Sequence, residues 1–322
     1  MTALLETKHL TKRFPTPDGR ELTACDAISL TIAPGETLGI VGESGCGKST
    51  LARMLLKLTP PSSGQILLHG RDITASKGEA RRQERRAVQM VFQDPTRAFN
   101  PRMRVRDILC EPMDNFGLID RARRDEAARW LLRLVELPED FASRYPHSMS
   151  GGQRQRIGIA RALAVEPELI VMDEATAALD VSVQKELLAV VSRIQKRGRI
   201  AIAFICHDLA LVKQFCDRAA VMYLGNIVET LPAGALPEAA RHPYTKSLIA
   251  AIFDVAIDFS RPIATIPGEV PSAVDRPRGC PFADRCPDCF DVCRRDKPVL
   301  TEIAPGHTCA CHQVTCHRVA HA

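Results

Sequence analysis

Gly42-Glu43-Ser44-Gly45-Cys46-Gly47-Lys48-Ser49-Thr50 is the stretch that decides the fold. It has the spacing G-x-x-x-x-G-K-[ST] of a phosphate-binding loop. Upstream, the turn Ala33-Pro34-Gly35-Glu36 opens a short apolar strand, Thr37–Val41. Downstream, Thr50–Leu58 reads as a helix. A phosphate cradle requires strand, loop and helix in that order. The glycines Gly42, Gly45 and Gly47 let successive backbone N–H groups turn inward around a β-phosphate. Ser44, Cys46 and Thr50 add their backbone to the same cradle, and Cys46 is given no redox role. The helix start contributes the positive end of its dipole. Lys48 is expected to reach the β- and γ-phosphates, and the Ser49 hydroxyl to ligate Mg²⁺.

Further along, Leu169-Ile170-Val171-Met172-Asp173-Glu174 is an apolar strand ending in two carboxylates. Asp173 suits the metal, directly or through water. Glu174, just past the strand, can orient or deprotonate an attacking water. Ile200–Cys206 is a second apolar strand, followed by His207 and Asp208. A histidine there is either structural or a γ-phosphate contact that braces Glu174. Gln93 follows the strand Val88–Phe92, where a neutral amide can contact Mg²⁺ or the attacking water. Helices read over Arg121–Leu137, over Val183–Lys196 with a stop at Gly198, and over about 209–216. Strands alternating with helices imply an α/β fold with a parallel sheet and helices on its faces.

The chain has 322 residues, 45% apolar and 25% charged, with 43 basic and 38 acidic residues for a net charge of +5. This is the composition of an ordinary globular protein. Arg81, Arg82, Arg85 and Arg86 are interleaved with Glu79, Gln83 and Glu84, which reads as a solvated helix face. Nucleic acid is not expected as a partner, since that stretch lacks aromatic stackers. No run approaches the roughly 18–20 apolar residues that cross a bilayer, and MTALLETKHLTKRF lacks a signal-peptide core. Any membrane association is therefore expected through partner subunits. Twelve cysteines are unevenly placed, seven of them between Cys280 and Cys316. In a reducing compartment such a cluster points to metal before disulfides. Composition changes near Pro237, which places a boundary near residue 240.

Met149-Ser150-Gly151-Gly152-Gln153 narrows the reading further. It resembles the signature of ATP-binding-cassette (ABC) proteins, with Met149 where Leu is usual. Arg154-Gln155-Arg156 and Ala160-Arg161-Ala162-Leu163 continue the match. The resemblance runs over residues 5–230. It implies a P-loop NTPase core, an antiparallel β subdomain and an inserted helical subdomain over about 94–165. It also makes Phe14 the ring that stacks on adenine, Gln93 the glutamine loop, Ala177-Ala178-Leu179-Asp180 the segment after the catalytic carboxylate, and His207 the family histidine. Ala175 stands where many relatives have Pro. By the same resemblance, Ser150, Gly151, Gly152 and Gln153 close over ATP bound to a partner subunit.

Phe92-Gln93-Asp94-Pro95, Asn100-Pro101-Arg102, His242-Pro243-Tyr244-Thr245-Lys246-Ser247-Leu248, Gly279-Cys280-Pro281-Phe282, Arg285-Cys286-Pro287 and Ala310-Cys311-His312 look like the oligopeptide/dipeptide/nickel branch of importers. That implies a cassette over 1–240 and an irregular, Cys-rich extension over 241–322. It implies an ATPase driving peptide import, or alternatively import of nickel or a metal chelate. The expected partners are a second, paralogous ATPase, two transmembrane permeases and an extracytoplasmic binding protein, with this chain peripheral on the cytoplasmic face of the inner membrane. In this branch the matching thiols are Cys280, Cys286, Cys293 and Cys311. Four thiolates suit a [4Fe–4S] cluster or Zn²⁺. The spacing does not choose, and the resemblance favours iron–sulfur. Cys289, Cys309 and Cys316 depart from the pattern, and His307, His312 and His317 are further zinc candidates. A reading of another class is a soluble ABC ATPase of DNA repair or translation. Such proteins usually carry a coiled-coil insertion or two cassettes, and this chain has neither.

Overall fold

The computed structural model describes residues 2–94, 98–177, 179–252, 268–269 and 271–319, with 251–252 and 316–319 in backbone only. Pro95, Ala178 and the side chains of Cys316 and His317 lie outside the described residues. The strands are β1 (Leu5–Pro15), β2 (Glu21–Ile32), β3 (Thr37–Val41), β4 (Ser63–Leu68), β5 (Arg71–Asp72), β6 (Val88–Val91), β7 (Leu169–Asp173), β8 (Ala201–Ile205), β9 (Arg218–Tyr223), β10 (Asn226–Pro232), β11 (Thr301–Ala304) and β12 (His307–Cys309). The helices are α1 (Lys48–Leu55), α2 (Gly78–Ala87), α3 (Val105–Phe116), α4 (Arg124–Leu134), α5 (Gly151–Leu163), α6 (Val181–Gly198), α7 (Leu209–Phe215), α8 (Pro243–Ile252), α9 (Asp291–Arg295) and α10 (His312–Val319).

The main sheet runs β11-β12-β10-β9-β3-β8-β7-β6. Strands β9, β3, β8, β7 and β6 are parallel, as the alternation of strands and helices required. Alternate residues of these strands enter different cores, as a period of two dictates. Ile170, Met172, Ile202 and Phe204 face a core shared with α3, α4, α5 and α6. Leu169, Val171, Ala203 and Ile205 face a second core, with α1 and the antiparallel sheet β2-β1-β4-β5 on its far side. Burial on both faces explains why β8 is apolar throughout and β3 is apolar after Thr37.

Several boundaries differ from the sequence reading. Helix α1 begins at Lys48, two residues earlier than expected, because Gly47 at φ 104 turns the chain directly into it. The expected helix Arg121–Leu137 starts as a 3-10 turn, Arg121–Arg123, and ends at Leu134. No side chain of α2 is buried, in keeping with its alternating charges.

The extension carries more regular structure than expected. Its hairpin β11–β12 continues the main sheet, with β12 antiparallel to β10 in the register Glu229↔Cys309. The change in composition near Pro237 does not mark a second sheet. Glu229 ties the join together. Fully buried, it accepts the Arg241 N–H (2.7 Å) and the His242 N–H (3.2 Å), and it pairs with His307 Nε2 (2.8 Å). Glu229→Gln would turn a carboxylate oxygen into a donor among these groups. The expected loss is about 2 kcal/mol, the cost of a buried polar group left unmatched. Thermal denaturation should show a drop of a few degrees, and an unchanged midpoint would contradict the role of Glu229.

Candidate active site

Four neighbouring parallel strands, β3, β8, β7 and β6, open their C-terminal ends on one edge of the sheet. In open α/β sheets this edge is where ligands bind. The loop Gly42–Thr50, His207, Glu174 and Gln93 follow those ends within two residues, so sheet order alone gathers them.

Only glycine fits at two positions of the loop. A Cβ on Gly42 (φ 155) would lie 2.1 Å from the Met222 carbonyl oxygen, and one on Gly47 (φ 104) would lie 2.1 Å from that of Ala24. Gly45 also has positive φ. Gly47 caps α1, so the unpaired first-turn N–H groups of that helix face the loop's concavity. Lys48 is buried, and its Nζ donates to the carbonyls of Gly42 (2.7 Å) and Glu43 (3.0 Å). Burial pushes the Cys46 thiol above its usual range, so it stays protonated.

Ser49 Oγ donates to Asp173 Oδ1 at 3.3 Å. Burial raises Asp173 above the ordinary carboxylate range and the Glu174 charge adds to this, while the Ser49 hydrogen bond opposes it. A hydroxyl beside a desolvated carboxylate is an all-oxygen donor pair, which fits Mg²⁺. A cation there would hold Asp173 ionised.

Glu174 sits at φ 48, a backbone region uncommon outside glycine and frequent at functional sites. Its N–H is fixed to the Ile205 carbonyl at 2.9 Å. Gln93 Nε2 donates to Glu174 Oε2 at 2.9 Å, and His207 Nε2 pairs with Glu174 Oε1. The three residues reached from separate parts of the sequence thus form one contact group around a single carboxylate. Phe14 is partly exposed near the end of β1, with Lys12 Nζ 5.0 Å from its ring centre.

Ser150 caps α5 in a reciprocal capping box. Its Oγ accepts the Gln153 N–H (3.3 Å), and Gln153 Oε1 accepts the Ser150 N–H (3.0 Å). Gly151 and Gly152 leave this helix start without side chains. Gly152 must stay bare, since a Cβ there would lie 2.6 Å from Val183 Cγ1. Among the described residues no hydrogen bond joins Ser150–Gln153 to the loop Gly42–Thr50. The chain thus carries two anion-type helix starts that do not meet within it.

Residues 25–177 match the ABC transporter family model, and residues 228–293 match the model of the oligopeptide/dipeptide transporter C-terminal region. A probable peptide ABC transporter ATP-binding protein, y4tS of Sinorhizobium fredii, is 48% identical, covering 96% of this chain and 90% of its own. The chain belongs to the ABC transporter ATP-binding family. A putative oligopeptide transport ATP-binding protein of Bacillus subtilis, YkfD, is 45% identical over 96% of this chain and 95% of its own. Among solved structures, the dimeric post-hydrolysis state of the ATP-binding cassette MJ0796 bound to ADP and Pi aligns with a TM-score of 0.65. It is 26% identical, covering 71% of this chain and 98% of that one. The protein is accordingly an ABC-type ATPase, and ATP with Mg²⁺ is its general ligand pair. No helix among the described residues is long and apolar enough to cross a membrane.

Cys280, Cys286, Cys293 and Cys311 line one small cavity of about 10 Å³ with Phe282 and His242. Burial pushes Cys280 up to about 12 and Cys286 up to about 11, so both are neutral thiols as they stand. Soft thiol donors suit iron–sulfur or zinc. The sequence spacing does not choose between them. Among the described residues no group of three or more His, Cys, Asp or Glu side chains is arranged to hold a metal ion. Of the further zinc candidates, His307 is engaged by Glu229, and His312 Nε2 lies 2.8 Å from the Asp296 carbonyl oxygen.

The sequence reading missed Glu43, Tyr244 and Arg285. Glu43 lies at a variable loop position, and Arg285 drew attention only as the neighbour of Cys286. The one available signal was Tyr244 and Arg285 falling inside branch-type motifs with no role assigned to them.

Proposed function

We propose that this cassette powers import of dipeptides or oligopeptides across the cytoplasmic membrane. The observation that carries the reading is similarity to peptide transport ATP-binding proteins over 96% of the chain, extension included. In this reading the chain sits peripherally on the inner face, pairs with a paralogous ATPase, and drives two permease subunits supplied by an extracytoplasmic binding protein.

The chemistry follows from the site. Lys48 and the N–H groups of the loop offset phosphate charge. Ser49 and Asp173 would hold Mg²⁺, which would offset phosphate charge when bound. Glu174 aims and deprotonates the attacking water, and Gln93 and His207 fix its two oxygens. Phe14 stacks on adenine. Ser150, Gly151, Gly152 and Gln153 close over the nucleotide of the partner subunit, which is consistent with their separation from this chain's own loop. The four thiols Cys280, Cys286, Cys293 and Cys311 are proposed as an iron–sulfur or zinc site on donor chemistry alone. Iron, sulfide and zinc analysis of anaerobically purified protein tests this, and absence of all three elements would end it.

Uptake of labelled peptides by cells lacking the gene tests the transport reading. Uptake should be lost on deletion and restored by the intact gene. Unaltered peptide uptake with a loss of nickel uptake would move the cargo to the metal. Loss of neither would refute an importer of this class.

A further inference from the structure

The extension reaches back into the phosphate loop. Glu43, the residue after Gly42, is held there at three atoms. Its backbone N–H donates to Tyr244 Oη at 2.9 Å. Its two carboxylate oxygens accept the Arg285 guanidinium at 2.8 and 3.0 Å. The Arg285 side chain is only 5% exposed and that of Glu43 24%, so the pair is largely sheltered from water. Arg285 also donates to Tyr223 Oη at 3.3 Å. Tyr223, Tyr244 and Phe282 pack around it with ring centres 4.6 to 5.4 Å apart. Arg285 ends the 3-10 turn Ala283–Arg285 and directly precedes Cys286. The base of that turn is closed by the Cys280 N–H on the Cys293 carbonyl at 2.7 Å.

The physical consequence is electrostatic and geometric. The loop collects N–H dipoles for a polyanion, and an unpaired carboxylate one residue into it would repel that polyanion. Arg285 cancels the charge. Its two-point pairing also fixes the orientation of Glu43, which the single ammonium of lysine cannot reproduce. Tyr244 draws the Glu43 N–H toward the extension, which sets the direction in which the loop turns. We propose that Arg285 is a positioning residue of the nucleotide site, and that the Arg285–Glu43 pair couples the cysteine-bearing turn Cys280–Cys293 to the phosphate loop. Nucleotide binding and the order of that turn then depend on each other reciprocally. The inference rests on ATP binding by the cassette and not on the cargo.

Binding of MgADP to the full chain tests it. Arg285→Met leaves the Glu43 carboxylate unpaired and should weaken binding about tenfold, equivalent to about 1.4 kcal/mol. Arg285→Lys should fall between this and the unsubstituted protein. The double variant Glu43→Gln/Arg285→Met removes both charges and should recover most of the affinity, which a merely structural role for Arg285 would not give. Unchanged affinity in Arg285→Met, or a double variant no tighter than the single one, overturns the proposal. Should Arg285→Met fail to fold, hydrogen exchange on the unsubstituted chain decides. MgADP should slow exchange of the Arg285 and Cys286 amides along with those of the loop. Protection confined to the loop counts against the coupling. Failure of the unsubstituted chain to bind MgADP at all would instead remove the nucleotide reading.

Discussion

Glu174→Gln is expected to lower ATP turnover by about 10²–10⁴-fold, the range for loss of a positioned general base, while MgATP still binds. The substitution changes little else. Gln keeps the shape of the side chain and one acceptor oxygen for the Gln93 amide, whose 2.9 Å contact holds the carboxylate now. The positive φ of Glu174 and its N–H bond to Ile205 belong to the backbone and persist. What disappears is the charge that can take a proton from water and that pairs with His207. Turnover within a few-fold of the unsubstituted enzyme would show that the proton goes elsewhere.

Lys48→Met should act on binding as well as on the chemical step. Hydrogen bonds to a charged group contribute about 1.5–3 kcal/mol each, so Kd for MgATP should rise roughly 10- to 150-fold. Loss of an electrostatic stabiliser should remove a further factor of about 10²–10³ in the rate. The Met side chain follows much of the buried path of Lys48, but it leaves the Gly42 and Glu43 carbonyls without their donor. A modest fall in thermal stability should therefore accompany the loss of binding. Titration of nucleotide onto the variant, beside a melting curve, separates the two effects. Retained affinity would contradict the assignment of Lys48 to the phosphates.

Much of this site was legible in the sequence because its chemistry is local. The loop announces itself through glycines whose backbone and close contacts admit no side chain. Asp173, Glu174 and His207 stand at the ends of apolar runs of strand length. Strand order was not legible from those runs. Nothing in Val88–Val91 or Leu169–Asp173 says that β6 lies beside β7, yet that adjacency brings Gln93 to Glu174 across 81 positions of sequence. The resemblance to ABC proteins supplied that grouping, and the structure gives its physical cause.

The extension was read least well, for a related reason. Its cysteines and prolines suggested irregular chain, because a composition-based reading registers apolar periodicity and little else. Its attachment depends on pairings across the whole molecule. Strand β12 adds to β10 through only a few residues, and Arg285 meets Glu43 across 242 positions. A buried arginine looks like any other charge in a sequence. Here it lies 5% exposed against the phosphate loop.

On the proposed reading this chain holds half of each ATP site. The direct measurement is the solution mass of the Glu174→Gln protein mixed with its partner ATPase, with MgATP and then with MgADP. MgATP should produce a two-ATPase species that MgADP does not, and Gly151→Asp, which places a charge at the bare start of α5 where a Cβ has room, should abolish it. Full ATP occupancy with both subunits remaining separate would contradict the account.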